Sequence, residues 1–423
     1  MAQTLKFGNG TWATKKGSTL AYNDEGGNFK PLPFTYTGAG KGTRVNKEGL
    51  IEVVENDRPR IDYTDSEDGV FLLEKAATNL LHYSEAFDNS YWIKGGSSVV
   101  GGFTSPKGDL SAFKLVEDSG AGAHFMYRNI TSTTVGNYYS ASIFVKKGER
   151  DYFVLGTQTS QDAYFNLSKG VIKSTPSTIS SKITSLSNGY YICSITWVAT
   201  STSESIYIYN SADGFTRNYT GDGTSGSYIF GAMLEQSSQS SSYIPTQGTI
   251  QTRVQETASG SGNSEVFNDS EGVLFVDIAS LSDDSSERFL SLSNGLATNR
   301  ISMWYYSATN GLAVAIYSGN VAQFFTTTVL PKDTLHNKIS IKYKENDFAL
   351  WLNGFEIAND TSGITPVGLK EISFDRGDGA LGFYGKTKEI GYYDTALTDE
   401  ELEKLTSYRS LNELVTELNL NTL

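Results

Sequence analysis

This sequence is poor in the residues that most often announce chemistry. One cysteine, Cys193, stands among 423 residues, so no intrachain disulfide can form and the chain suits a reducing compartment. Because that thiol sits in the strand-like run YYICSITWV, it is expected to be buried rather than reactive. Three histidines, His82, His124 and His336, lie far apart with no His-x-x-x-His and no cysteine nearby, which removes the usual zinc spacings. No run approaches the ~18 consecutive apolar residues that cross a bilayer, so membrane insertion is not expected. The opening MAQTLKFGNG lacks a basic stretch leading into an apolar one, and Sec export is not expected either. Positive charge is also scarce: 34 Lys and Arg face 47 Asp and Glu, and the net charge of -13 argues against nucleic acid as a partner.

What the chain does have is 42 glycines, 12% aromatic residues and only 8 prolines, the composition of many short strands joined by turns. Its length suits two or three domains. The expected fold is mainly β: two antiparallel β-sandwich (jelly-roll) domains, with an irregular N-terminal arm and a short C-terminal helical tail.

Residues 1–76 are rich in Gly, Asn and charge and read as an arm that docks on another protein, a flexible leader being the alternative. Residues 77–250 carry alternating runs such as SAFKLVE, YYSASIFVKK, SIYIYN and SYIFGAMLEQ at sandwich-like intervals. In YYSASIFVKK, Tyr139, Ala141, Ile143 and Val145 fall on one face. A polar stretch, 251–264, reads as a linker. The second series, 265–396, includes GVLFVDIAS, RISMWYYS, NKISIKYKEN and FALWLNGFEIAND. Asn353-Gly354 there supplies the positive φ angles of a two-residue type I′ turn and predicts a hairpin, with Trp351 on the face opposite Leu350 and Leu352. From 397 the pattern becomes helical, and Thr398 with Glu401 predicts a capping box. The stripe Leu411, Leu414, Val415 and Leu418 would seal against its own sandwich or against neighbouring copies.

Catalytic motifs are weak. No Gly-x-Ser-x-Gly elbow occurs, and Gly40-Lys41-Gly42 and Gly385-Lys386-Thr387 approach a phosphate loop without completing it, so both read as turns. Carboxylate pairs of the kind that hydrolyse glycosides are available at Asp283 with Asp284, at Asp375 with Asp378, and in the group opening at Asp399. In SFDRGDGALG, Asp375 and Asp378 form an acidic glycine turn suited to Ca2+ through oxygen ligands, a plain turn being the competing reading. Aromatic rings give the remaining signal, since sugar rings stack their C–H faces on Trp and Tyr. Trp304, Tyr306 and Trp351 are the candidates, with core packing as the alternative for each.

Several segments, taken in order, resemble a block that recurs in bacteriophage virion proteins, especially tail and head fibres. They are GTRVNKEGLIEVVENDRPRIDYTD, LLEKAATNLLHYSEAFDNSYWIK, SNGYYICSITW and YTGDGTSGSYIFGAMLEQSSQSSSYIPTQGT. The central region resembles a carbohydrate-binding-module-like β-sandwich, and the C-terminal half is similar to concanavalin A-like or laminin-G-like jelly rolls. That resemblance implies a structural virion appendage assembled in the host bacterial cytoplasm, usually a homotrimer. It would be fixed to other virion proteins through the N-terminal arm and would display sandwiches to host surface glycans. A purely structural spacer and a glycan depolymerase are the alternatives. The glucanases of the concanavalin A-like group carry a Glu-x-Asp-x-x-Glu strand that this sequence lacks, so a binding protein is expected rather than an enzyme.

Overall fold

Side-chain alternation decides how each strand is buried. In Tyr138–Lys147, the residues Tyr139, Ala141, Ile143 and Val145 enter one core cluster while Phe144 joins another on the opposite face, the pattern of a strand covered on both sides. The computed structural model describes residues 3–20, 32–38, 40–159, 161–282, 286–306 and 310–408. Its fold is mainly β, with antiparallel sheets and one short helix near the C-terminus among the described residues. Contacts divide the chain into two units. The first comprises Met1–Ala39, Asn56–Lys75 and Gln255–Leu423; the second comprises Gly40–Glu55 and Ala76–Val254.

Within the second unit, two six-stranded sheets are found among the described residues. One runs in the order Ile93–Gly95, Phe125–Ile130, Glu204–Ser211, Tyr152–Thr157, Asp162–Asn166, Val171–Ser174. The other runs Ser97–Phe103, Ala112–Glu117, Gly226–Glu235, Tyr138–Lys147, Tyr191–Val198, Ser180–Ser185. Their facing side chains share one core, with Met126, Phe153 and Ile208 from the first sheet against Ile143, Ile195 and Leu234 from the second, which makes the unit a β-sandwich. Cys193 is completely buried in that core, and burial pushes its thiol well up. Glu117, also buried, feels burial pushing its carboxyl up. Hydrogen bonds donated by Arg150, the Tyr219 hydroxyl and the Asp222 N–H outweigh that and hold it below its ordinary value.

The first unit pairs an eight-stranded sheet with a five-stranded one among the described residues. The larger is ordered Phe355–Asp360, Phe348–Leu352, Asn337–Lys344, Glu271–Ser280, Gly385–Tyr393, Val70–Leu73, Arg60–Asp62, with Leu5–Gly8 also bonded to Gly385–Tyr393. The smaller is ordered Val321–Val329, Gly311–Ser318, Arg300–Tyr306, Arg288–Ser293, Glu371–Ser373. Leu274, Val276 and Ile341 of the one meet Leu292, Ile301 and Val314 of the other in a single core, each such side chain stabilising the fold by roughly 1.5–3 kcal/mol. The Asn353-Gly354 turn is formed as its residues predict: both have positive φ, 50° and 91°, and Leu352 pairs with Phe355 across it. Gly385-Lys386-Thr387, by contrast, opens a strand rather than a turn.

The described residues of 1–76 do not stand apart as an arm. Leu5–Gly8, Arg60–Asp62 and Val70–Leu73 complete the eight-stranded sheet, while Phe34–Thr37 pairs with Thr257–Ser259. Thr43–Val45 and Ile51–Val53 form a hairpin in the second unit. These strands are three or four residues long, too short to show alternation in the sequence, and they exist because distant strands supply their hydrogen-bond partners. The 251–264 stretch is likewise structured. Gln251–Arg253 pairs with Ala77–Asn79 in one unit and Thr257–Ser259 lies in the other, the division falling between Val254 and Gln255.

Four segments of the first unit meet at one buried guanidinium. Arg60 is 1% exposed, and its Nη2 lies 2.7 Å from Glu74 Oε2 and also pairs with Glu256, whose Oε1 accepts from Arg60 Nε at 2.7 Å. Glu256 accepts further from the Tyr36 hydroxyl at 2.6 Å and the Glu74 N–H at 2.8 Å. Removing one partner of such a buried set leaves the others charged and dry. Arg60→Met is therefore expected to lower the first unit's stability by about 3–5 kcal/mol. Lys344→Met, at the surface pair with Glu271, is expected to cost about 0–1 kcal/mol. Urea denaturation midpoints of the two variants check the difference, and equal shifts would refute it.

Candidate functional site

Each sandwich has outward faces as well as a core, and on the first unit these faces differ in what covers them. On the eight-stranded sheet, Phe275, Ala349, Trp351 and Tyr393 point away from the main core and are covered by Leu397 and Leu402. The helix Asp399–Thr406 that carries Leu402 starts at a complete capping box, Thr398 with Glu401, and has acidic residues in its first turn. Trp351 is consequently only 7% exposed. The expectation that it offers its ring to a sugar is corrected: alternation takes it off the main core, and the helix then seals the face on which it lies. The stripe Leu411 to Leu418 and the pair Asp283 with Asp284 lie outside the described residues.

The outward face of the five-stranded sheet is not sealed by this helix. Its middle consists of small side chains, Ser291, Ser302, Ala313 and Ala315, all of them buried. At one end Trp304, half-buried, stacks on Phe289 with ring centroids 4.6 Å apart and planes 9° from parallel. Tyr306, also half-buried, continues the row beside Gly311, where any Cβ would collide with its ring. Phe325, 57% exposed, stands over the edge strand 6.2 Å from Trp304.

At the other end of the same strand is Arg300, four residues from Trp304 and on the same face, which places the two about 13 Å apart along the strand. Arg300 is 8% exposed. Its guanidinium lies over the Tyr317 ring with Cζ 4.0 Å from the centroid, its Nε donates to Ser302 Oγ at 3.3 Å, and its Nη1 donates to the Ala297 carbonyl.

The turn holding Asp375 and Asp378 closes over this sheet from the side. Ser291 donates to the Asp375 carbonyl at 2.8 Å, and Gly377 sits so close to Ser293 that a Cβ would collide with it. Asp375 accepts N–H bonds from Gly377 at 2.6 Å and Gly379 at 3.3 Å, and burial pushes its carboxyl up against those bonds. Asp378 pairs with Arg376 at 2.6 Å and accepts the Ala380 N–H at 3.2 Å. Both carboxylates serve the turn, and among the described residues no group of three or more His, Cys, Asp or Glu stands together to hold a metal ion. The structure thus gathers Trp304, Tyr306 and the Asp375–Asp378 turn on one sheet face and leaves Trp351 elsewhere.

A second aromatic face, on the second unit, was not singled out by sequence reasoning. Phe125 and Tyr127 stand beside Tyr209 and Tyr207 on the neighbouring strand. Tyr127 stacks on Tyr207 at 4.8 Å and Tyr207 on Tyr209 at 5.5 Å, with planes 11° and 12° from parallel. Arg217 lies over Tyr209 and pairs with Asp162 at 3.2 Å. The Asp162 carboxylate lies over Gly156, the one residue type that leaves it room. The signal was present in SIYIYN, whose Tyr207 and Tyr209 alternate with the core residues Ile206 and Ile208.

No protein-family model and no curated protein matches this sequence. Among solved structures, the chain is similar to the CBM40 of the Ruminococcus gnavus IT-sialidase bound to alpha2,3 sialyllactose, with 18% identity, 35% of this chain and 94% of that one covered, and a TM-score of 0.30. It is also similar to leech intramolecular trans-sialidase, with 17% identity, 36% and 26% covered, and a TM-score of 0.29. A third is domain 4 of AbnA, a GH43 extracellular arabinanase from Geobacillus stearothermophilus, in complex with arabinotriose, with 12% identity, 36% and 73% covered, and a TM-score of 0.29.

The two tryptophans separate by experiment. Trp351→Ala is expected to cost about 3–5 kcal/mol, because a buried ring leaves a cavity. Trp304→Ala is expected to cost about 0.5–1.5 kcal/mol, the worth of an aromatic pair. Guanidinium denaturation of both variants measures this, and a larger loss at Trp304 would place that ring in the core.

Proposed function

We propose that this chain binds surface glycans, without turning them over, through the outward face of the five-stranded sheet in the first unit. The observation that carries this reading is the half-buried Trp304, stacked on the buried Phe289 and extended by Tyr306 and the exposed Phe325, on a face with an arginine toward its other end. Rings and hydrogen-bonding groups in one row are what a sugar needs, since its C–H faces stack and its hydroxyls seek polar partners. Single sites of this kind are weak, and display of several copies raises the effective concentration.

The finer reading is a head or tail fibre of a bacteriophage, a homotrimer held to other virion proteins near its N-terminus. It rests on the ordered sequence segments that resemble such appendages. A spacer role is favoured by a different observation. Val321–Val329 and Phe355–Asp360 end their sheets without a further partner strand among the described residues, and Val329, Phe325 and Phe355 are 68%, 57% and 71% exposed. Apolar edges of that kind suit packing against a neighbour.

Incubation of the full chain with an immobilised panel of bacterial surface glycans is expected to show retention that Trp304→Ala reduces while melting remains close to that of the parent. Absence of retention on every member would remove the adhesion role and leave the spacer. For the virion half, a tag at either terminus is expected to decorate intact phage particles in electron micrographs. Undecorated particles from a host expressing the tagged chain would exclude it.

A further inference from the structure

Arg300 is unlike the first unit's other deeply buried arginine described above. Where Arg60 is held between Glu74 and Glu256, no carboxylate of the described residues lies within 4 Å of the Arg300 guanidinium. Its protein partners are the Tyr317 ring and side-chain oxygen, a serine hydroxyl and a backbone carbonyl, all neutral. Burial pushes the guanidinium below its ordinary value against an opposing pull from Tyr317; Arg376 adds to the lowering and Asp378 offsets it. Asp378 is itself bound to Arg376 at 2.6 Å, so this pair largely neutralises itself beside Arg300.

A cation desolvated to this degree costs free energy that a matching anion restores. The overall charge of -13 works against drawing anions from a distance, but charges more than about 8 Å away are largely screened at physiological salt, so the local guanidinium decides at contact. The planar fork of arginine fits a carboxylate better than a lone hydroxyl, and the stack on Tyr317 keeps that fork oriented.

We infer that the glycan bound on this face is an acidic one, with a sugar carboxylate received by Arg300 while a neighbouring ring of the same chain stacks near Trp304. This rests on the glycan-binding reading of the face and adds the chemical class of the ligand. Trp304 sets affinity for sugar in general, and Arg300 sets the preference for charge.

The test uses the full chain and a panel of carboxylated polysaccharides, each paired with its own carboxyl-reduced form, together with neutral and sulfated polysaccharides. Retention is expected on carboxylated members and is expected to fall about 10- to 100-fold on carboxyl reduction, the worth of a charge-assisted hydrogen bond. R300Q is expected to lose the distinction between each pair, and R300K to keep part of it. The comparison of each glycan with its reduced form needs no variant, so it decides even if R300Q fails to fold. Equal retention of the two forms, or retention confined to sulfated members, would overturn the carboxylate assignment while leaving glycan binding intact. Retention of nothing on the panel would overturn both.

Discussion

The first unit depends on one buried guanidinium. Arg60 joins the strand Arg60–Asp62 to Glu74 and to Glu256, the latter 196 positions away in the sequence, and Glu256 in turn holds the Tyr36 hydroxyl. Burying an arginine and two carboxylates is costly, and the set is tolerable only because nearly every donor finds an acceptor at 2.6–2.8 Å. Hydrophobic contacts alone would let these short segments slide, since three or four residues carry too little alternation to fix a register. The ion set chooses one arrangement. The aromatic contacts Phe7–Phe34, Phe34–Phe374 and Phe71–Phe374, at 4.7–5.4 Å, pack around strands so placed.

That arrangement bears on the proposed binding face. Strand Thr257–Ser259 follows Glu256 directly, and Ala258 accepts the N–H of Phe374, the residue before Asp375. The turn that closes beside Arg300 is thereby tied through Phe374 to the region of the buried arginine. One arginine is saturated by carboxylates and organises the unit; the other has none and is left for something outside the protein.

Much of the architecture was legible because strand burial has a period of two. The faces of Tyr138–Lys147, the Asn353-Gly354 hairpin and the Thr398–Glu401 cap are all local devices, and local devices are written in neighbouring residues. Of the opening 76 residues little beyond the extended runs at 49–54 and 70–73 was legible, for the converse reason, since Leu5–Gly8 is a strand only because Gly385–Tyr393 is there to pair with it. The binding face was half legible. Trp304 and Tyr306 were visible as aromatics in a strand, but Trp351 looked equivalent to them, and only the packing of Leu402 over it tells them apart. Arg300 could not be recognised at all, because an arginine without a carboxylate is a statement about what surrounds it, and sequence does not record surroundings. Tyr207 and Tyr209 were hidden by their regularity, one strand among many.

The pairing of Leu5–Gly8 with Gly385–Tyr393 has a consequence in time. A ribosome adding about 5–20 residues each second needs roughly 20–80 s to make the second strand after the first. In that interval Leu5, Phe7 and Phe34 have emerged without the sheet that later buries them. Once Val254 has been made, Gly40–Glu55 and Ala76–Val254 are complete and can close as a sandwich of their own. For roughly the last third of its synthesis the nascent molecule thus carries one finished sandwich and greasy early strands that still lack their cover, and chaperone occupancy in that interval should be set by those early residues.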